Sequence, residues 1–189
     1  IRLTNTAHDE YNPRISDNGH MVWNGGETEL YRGIFLYDGT TTNLLADHYY
    51  DGPASINNSG HVTWCSLDDG GGTGLFLYNG IDTTQITDND TINRYPRINS
   101  SDQITWQYWD ETEWEIMLYD GMATTQLSSN DIDDISVRIN DSGQVTWYTD
   151  EMANRDIFLY SNGTGVTTQL KDDLFDDFYP EINNSGHVV

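Results

Sequence analysis

Between residues 97 and 127 the chain alternates short apolar runs with polar turn clusters. The runs Arg97 to Asn99, Gln103 to Tyr108, Glu115 to Tyr119 and Thr124 to Leu127 are rich in β-branched and aromatic residues. Runs of this length and composition, bounded by Asn, Ser, Asp and Gly, predict four strands. Asn-x-Ser-Gly joins the first two runs in most units, and its glycine can take the left-handed conformation that closes a short hairpin. Asp102 stands at the glycine position here, a region that aspartate visits more readily than most residues. Tyr119-Asp120-Gly121 joins the last two runs and carries a hairpin signal of its own. No stretch sustains a helical period between caps, so essentially no helix is expected.

The same pattern recurs along the whole chain. Trp23, Trp64, Trp106 and Trp147 are separated by 41, 42 and 41 residues, and Tyr37, Tyr78, Tyr119 and Tyr160 by 41 each time. The segment Ile139 to Trp147 (INDSGQVTW) has near-copies beginning at Ile15, Ile56 and Ile98, and a further one beginning at Ile182 that stops at Val189. Four strands per unit of about 42 residues describe a blade of an all-β propeller, in which each unit buries its faces only against its neighbours. One domain is therefore expected over residues 1–189, with repeats at approximately 5–44, 45–86, 87–127 and 128–170 and partial units at 1–4 and 171–189. Four complete blades with a strand-like piece at each end fit three arrangements: a ring of five blade positions, a fragment of a larger propeller, or closure through a second chain. Within the repeat, the polar triplet reads as hairpin chemistry and the tryptophan as packing between blades.

The run Pro-x-Ile-Asn-x-Ser-Gly-x-Val-Thr-Trp, followed by Ile-Phe-Leu-Tyr-Asp-Gly and by Thr-Thr-Gln-Leu-Thr, resembles the TolB-type (PD40-like) propeller repeat. That family's pattern is Pro-x-x-Ser-Pro-Asp-Gly-x-x-Ile-Ala-Phe, an Ile-Tyr strand and a closing Arg-Leu-Thr. Ile1-Arg2-Leu3-Thr4 resembles that close, whereas Asn-x-Ser-Gly departs from Ser-Pro-Asp-Gly. The resemblance implies the fold and is nearly silent on activity, because unrelated functions share propellers.

Composition narrows the partners. Hydrophobic residues make up 36% and aromatics 12%, enough for a packed core, while 31 Asp and Glu against 8 Lys and Arg give a net charge of -23. That charge repels nucleic acid and anionic membranes and suits cations or basic partners. The single lysine, Lys171, leaves a surface that also fits a high-salt habitat. No apolar run approaches the roughly 18 residues of a membrane helix. Cys65 has no internal disulfide partner and reads as a buried structural thiol. The chain begins at Ile1, so either a leader has been removed or the chain is part of something longer; a secreted or surface location is expected.

Antiparallel connectivity puts the loops between second and third strands, and those between blades, on one face. By sequence, 24 of the 31 acids fall in or near those loops. The densest groups, Asp131, Asp133 and Asp134 and then Asp172, Asp173, Asp176 and Asp177, are candidate calcium ligands, since calcium takes six to eight oxygens. Neither group has a diagnostic spacing, and aspartate also fills tight loops for backbone reasons alone. Arg14, Arg97 and Arg138 share one repeat position and read as structural partners of acids. His20, His61 and His187 share another with Gln103 and Gln144, an interchange unlike a general base. No nucleophile elbow, phosphate loop, zinc spacing or sialidase-type Asp-box is present.

Trp109 and Trp114 break the repeat. They fall in the third loop of this kind, among carboxylates, and are candidate ligand-binding residues for a sugar or a protein partner. The expected function is a non-catalytic binding module presenting an acidic face to a protein, glycan or cation. The alternatives are the propeller part of a larger secreted hydrolase or lyase, or a multivalent lectin of the tachylectin-like kind.

Overall fold

The computed structural model describes residues 3–4, 7, 9–26, 33–47, 51–67, 71–151, 155–170 and 175–189. The chain divides into two compact units, Ile1–Pro96 and Arg97–Val189. Among the described residues there is no helix.

In the first unit, β1 (Asp9–Ile15), β2 (Met21–Gly26), β3 (Gly33–Tyr37) and β4 (Thr42–Ala46) form one sheet in chain order. A second sheet follows from β5 (Ser55–Ile56), β6 (Val62–Leu67), β7 (Thr73–Tyr78) and β8 (Thr83–Gln85). The second unit holds the sheet of β9 (Ile92–Ile98, beginning at the end of the first unit), β10 (Ile104–Trp109), β11 (Trp114–Tyr119) and β12 (Thr124–Gln126). Its other sheet contains β13 (Asp134–Ile139), β14 (Val145–Thr149), β15 (Ile157–Ser161) and β16 (Val166–Gln169). Each is an antiparallel meander of the expected kind. A further strand pair starts near the end of the chain, where Glu181 and Val189 exchange backbone hydrogen bonds of 3.0 and 3.1 Å.

Trp64 and Trp147 pack between the two sheets of their own unit. Trp64 lies in a cluster with Val22, Ile34 and Leu36 of the preceding sheet, and Trp147 in one with Ile116 and Leu118. Each also stacks on its cross-strand partner, Trp64 on Phe76 at 5.7 Å and Trp147 on Phe158 at 5.9 Å between ring centroids. Both are almost wholly buried, so their period follows from the core.

The polar triplet does more than turn the chain. Asn140 Oδ1 accepts hydrogen bonds from the backbone N–H groups of Ser142 (3.1 Å) and Gln144 (3.0 Å), and Nδ2 of the same side chain donates to Asn183 O of the following hairpin at 3.0 Å. Asn99 does the same toward Asn140. One amide therefore shapes its own turn with its acceptor and ties it to the next repeat with its donor. Gly143 adopts φ 75°, and Asp102 takes φ 60° at the equivalent position, as its placement in the sequence implied. A Cβ on Gly143 would stand 2.6 Å from Gln103 Oε1, so a larger residue there would displace the end of that side chain, and the left-handed conformation favours glycine. That contact also explains the Gln and His position, whose side chain lies over the glycine of the next hairpin, as His20 does over Gly60.

In three of the four sheets the first strand is longer than the sequence pattern indicated, β5 being the exception at Ser55–Ile56. In place of a start at Arg97, β9 begins at Ile92. In β1 and β13 the register shifts between Tyr11 and Arg14 and between Ile135 and Arg138. Asn12, Tyr95 and Ser136 have positive φ at this place. A bulge with a left-handed residue breaks the two-residue alternation, which hides the upstream half of the strand.

Candidate functional site

Trp109 and Trp114 are not loop residues. Trp109 ends β10, Trp114 opens β11, and the two are directly paired across the strands. Paired cross-strand residues share a face, and here the ring centroids are 5.3 Å apart with the planes tilted by 54°. Both side chains are half-buried. The strand alternation puts them on the same face of the sheet as Ile116 and Leu118, at the rim of the region that packs against β13 and β14.

The turn between them, Asp110 to Glu113, is closed by a backbone hydrogen bond from Asp110 N to Glu113 O of 3.1 Å. Asp110 Oδ1 caps it by accepting from Thr112 N (2.8 Å), Thr112 Oγ1 (2.8 Å) and Glu113 N (2.9 Å). Those bonds, with the Glu113 backbone first, hold the Asp110 carboxyl below the usual range, so it stays charged. Asp133 Oδ1 accepts from Trp114 N at 2.8 Å, which anchors the rim to the segment leading into β13.

Behind this rim lies a buried acidic pair. Glu115 and Asp134 are 1% and 0% exposed. Ser128 Oγ donates to Glu115 Oε2 and accepts from Ile116 N at 2.9 Å, while Asn130 N donates to Glu115 Oε1 at 3.1 Å. Asp134 accepts from Trp147 Nε1 (2.8 Å) on one oxygen and from Asn130 Nδ2 (2.7 Å) on the other. Burial above all, reinforced by the neighbouring Glu115 charge, pushes Asp134 up to about 7, and burial raises Glu115 as well. A cavity of about 100 Å³ adjoins Asp134, with Ser128, Asn130, Trp147 and Phe158 among its other walls. Glycine occupies the Glu115 position in the first two sheets, at Gly33 and Gly74, so this arrangement is not imposed by the repeat.

Among the described residues the candidate calcium ligands each have separate surroundings. Asp131 is exposed, Asp133 holds Trp114, and Asp134 is buried under Trp147. Asp176 accepts from Arg155 Nη1 at 3.3 Å, and Asp177 N donates to Arg155 O at 2.8 Å. Asp172 and Asp173 lie outside the described residues. Among the described residues no three His, Cys, Asp or Glu side chains converge to hold a metal ion. The count of acids in the loops overstated their exposure: Asp51, Glu115, Asp134 and Asp156 are all buried. Of these only Asp134 lies in a bulged first strand; Glu115 sits in β11 and Asp51 in a bridge to Ser66.

Other expectations find their partners. Arg138 Nε pairs with Glu181 Oε1 at 2.9 Å, and Glu181 holds the Arg138 position in the next unit. Cys65 is a buried free thiol whose pKa burial raises above the ordinary range. The Asp134–Trp147 bond was missed, although its signal was present. An acid or amide stands 13 residues before every repeat tryptophan, as Glu10, Asp51, Asn93 and Asp134.

No protein-family model matches the chain, and no curated protein does. Solved structures do. TolB from Acinetobacter baumannii aligns at 14% identity with a TM-score of 0.68, covering 97% of this chain and 48% of that one. A puromycin-hydrolyzing peptidase from Mycobacterium tuberculosis aligns at 10% identity with a TM-score of 0.68, covering 93% of this chain and 33% of the peptidase. The β-propeller domain of the Trilobed protease from Pyrococcus furiosus aligns at 13% identity with a TM-score of 0.62, covering 81% of this chain and 49% of that one. The chain thus spans about half the length of the TolB structure it matches. At these identities the likeness speaks to fold alone, and together with the four meander sheets it shows that the chain is built of β-propeller blades.

Proposed function

We propose that this chain is a non-catalytic propeller module, TolB-like in its repeat, that binds a partner through the β10–β11 rim carrying Trp109 and Trp114. The observation behind this reading is the departure from the repeat. The equivalent positions are Gly26, Leu67 and Asp150 for Trp109, and Arg32, Thr73 and Arg155 for Trp114, so no packing need shared by the blades accounts for the pair. Two half-exposed aromatic rings on a rigid hairpin provide contact area at small entropic cost, which is the usual make-up of an interface anchor. A secreted or surface setting belongs to the same reading.

A panel of peptides, glycans and proteins, screened against the wild type and a Trp109→Ala/Trp114→Ala double variant, tests it. The expected result is at least one ligand that binds the wild type and is lost by a double variant of unchanged circular dichroism. If every ligand binds both proteins alike, the rim is not the contact surface.

The likeness to a peptidase supports a second reading, in which the chain is the propeller part of a larger hydrolase. There the same rim would face substrate or the companion domain. The length of the native gene product separates the two readings.

A further inference from the structure

We propose that the Trp109–Trp114 rim recognises an arginine side chain of a basic peptide. This rests on the binding reading above and names its ligand.

Charge makes the case. From Asp110 to Glu113 the turn carries Asp110, Glu111 and Glu113 and no cation, and Asp133 stands directly behind Trp114. Among the described residues, none of these four carboxylates forms an ion pair; Arg155 and Arg138, by contrast, are engaged with Asp150, Asp176 and Glu181. Asp110 is held ionised by its turn. The whole chain carries -23, so a cationic ligand is drawn to this rim by the general field as well as the local one.

Shape agrees. Rings tilted by 54° do not form the flat platform on which a sugar face lies. They present an angled aromatic surface on the two strand ends that the acidic turn joins. A guanidinium is planar and weakly hydrated, can stack on an indole face and can donate in its own plane to carboxylates. A neutral sugar would have to desolvate the same carboxylates without neutralising them, at a cost the cation avoids. Arginine suits the site better than lysine because its in-plane donors reach acids beyond the ring on which it stacks.

The experiment is calorimetric titration of the chain with a capped Gly-Arg-Gly-Arg-Gly peptide, its citrulline counterpart, its lysine counterpart and a neutral chito-oligosaccharide. The arginine peptide is expected to bind at least about fivefold more tightly than the citrulline one, with affinity falling as salt rises. Trp114→Ala and Glu111→Gln/Glu113→Gln are each expected to weaken it by about threefold or more, while Trp114→Phe, which keeps an aromatic face, retains most of the affinity. Circular dichroism and melting curves confirm that the variants fold, and the phenylalanine variant covers the case in which alanine disturbs the hairpin. Equal binding of the arginine and citrulline peptides, or arginine binding indifferent to Trp114 and to the two glutamates, overturns the proposal. Trp-dependent binding of the oligosaccharide without the arginine peptide overturns it too, while leaving the binding reading in place.

Discussion

The indole Nε1 of Trp147 donates a 2.8 Å hydrogen bond to Asp134 Oδ1, 13 residues earlier in the chain. One bond thus joins the start of β13 to the middle of β14 and satisfies the polar atom of a side chain that is 1% exposed. Replacing Trp147 by Ala removes this bond together with the stack on Phe158 and the contacts to the preceding sheet. A loss of roughly 3–5 kcal/mol is expected from urea unfolding. A loss below about 1 kcal/mol would mean that Trp147 is not core.

Asp134 should also make stability depend on pH. Its folded-state pKa, about 7, lies above the ordinary value of 3.8, so the folded protein holds a proton that the unfolded chain has released. Stability from this group is full below the ordinary value and is lost as pH rises through about 7. Asp134→Asn keeps an acceptor for the indole and removes the titration. Between about pH 4 and 8 the stability of the wild type relative to this variant should fall by about 2–4 kcal/mol, measured by urea unfolding at each pH. Glu115, raised in the same direction, adds to the sign.

Asn140 serves both turn formation and coupling between repeats. Asn140→Asp keeps the oxygen that accepts from Ser142 and Gln144 but loses the donor to Asn183, whereas Asn140→Ala loses both. Because the aspartate would set an oxygen against Asn183 O and Gln144 Oε1 in a buried place, both variants are expected to cost about 2–3 kcal/mol from denaturant midpoints. Gly143→Ala should cost about 1–3 kcal/mol, because it sets a Cβ against Gln103 in a left-handed conformation.

Cys65 should be inert in the native state. Burial raises its pKa, so an aromatic disulfide reagent at mildly alkaline pH should label it far more slowly in buffer than in concentrated urea. Rapid native labelling would show that β6 opens locally.

The blades were legible in the sequence because Trp, Tyr and Gly recur for packing and turn reasons that every unit shares. Asn140's second task was not, since a turn-forming amide and a repeat-coupling amide are the same residue type. The start of β9 was hidden by the left-handed Tyr95, which breaks the alternation on which strand reading depends. Trp109 and Trp114 stood out as departures from the period, but only the register of β10 and β11 shows them opposed and in contact. The buried pair of Glu115 and Asp134 had no sequence signal as a pair: 19 residues part them, and the bulged first strand is what turns Asp134 inward.

The most direct test of the functional account is to follow the indole N–H resonances of the six tryptophans while the Gly-Arg-Gly-Arg-Gly peptide is added. The signals of Trp109 and Trp114, assigned by single substitution, are expected to move in a saturable way while those of the buried Trp64, Trp106 and Trp147 stay in place. Saturable shifts confined to other tryptophans, or no shift at millimolar peptide, would contradict it.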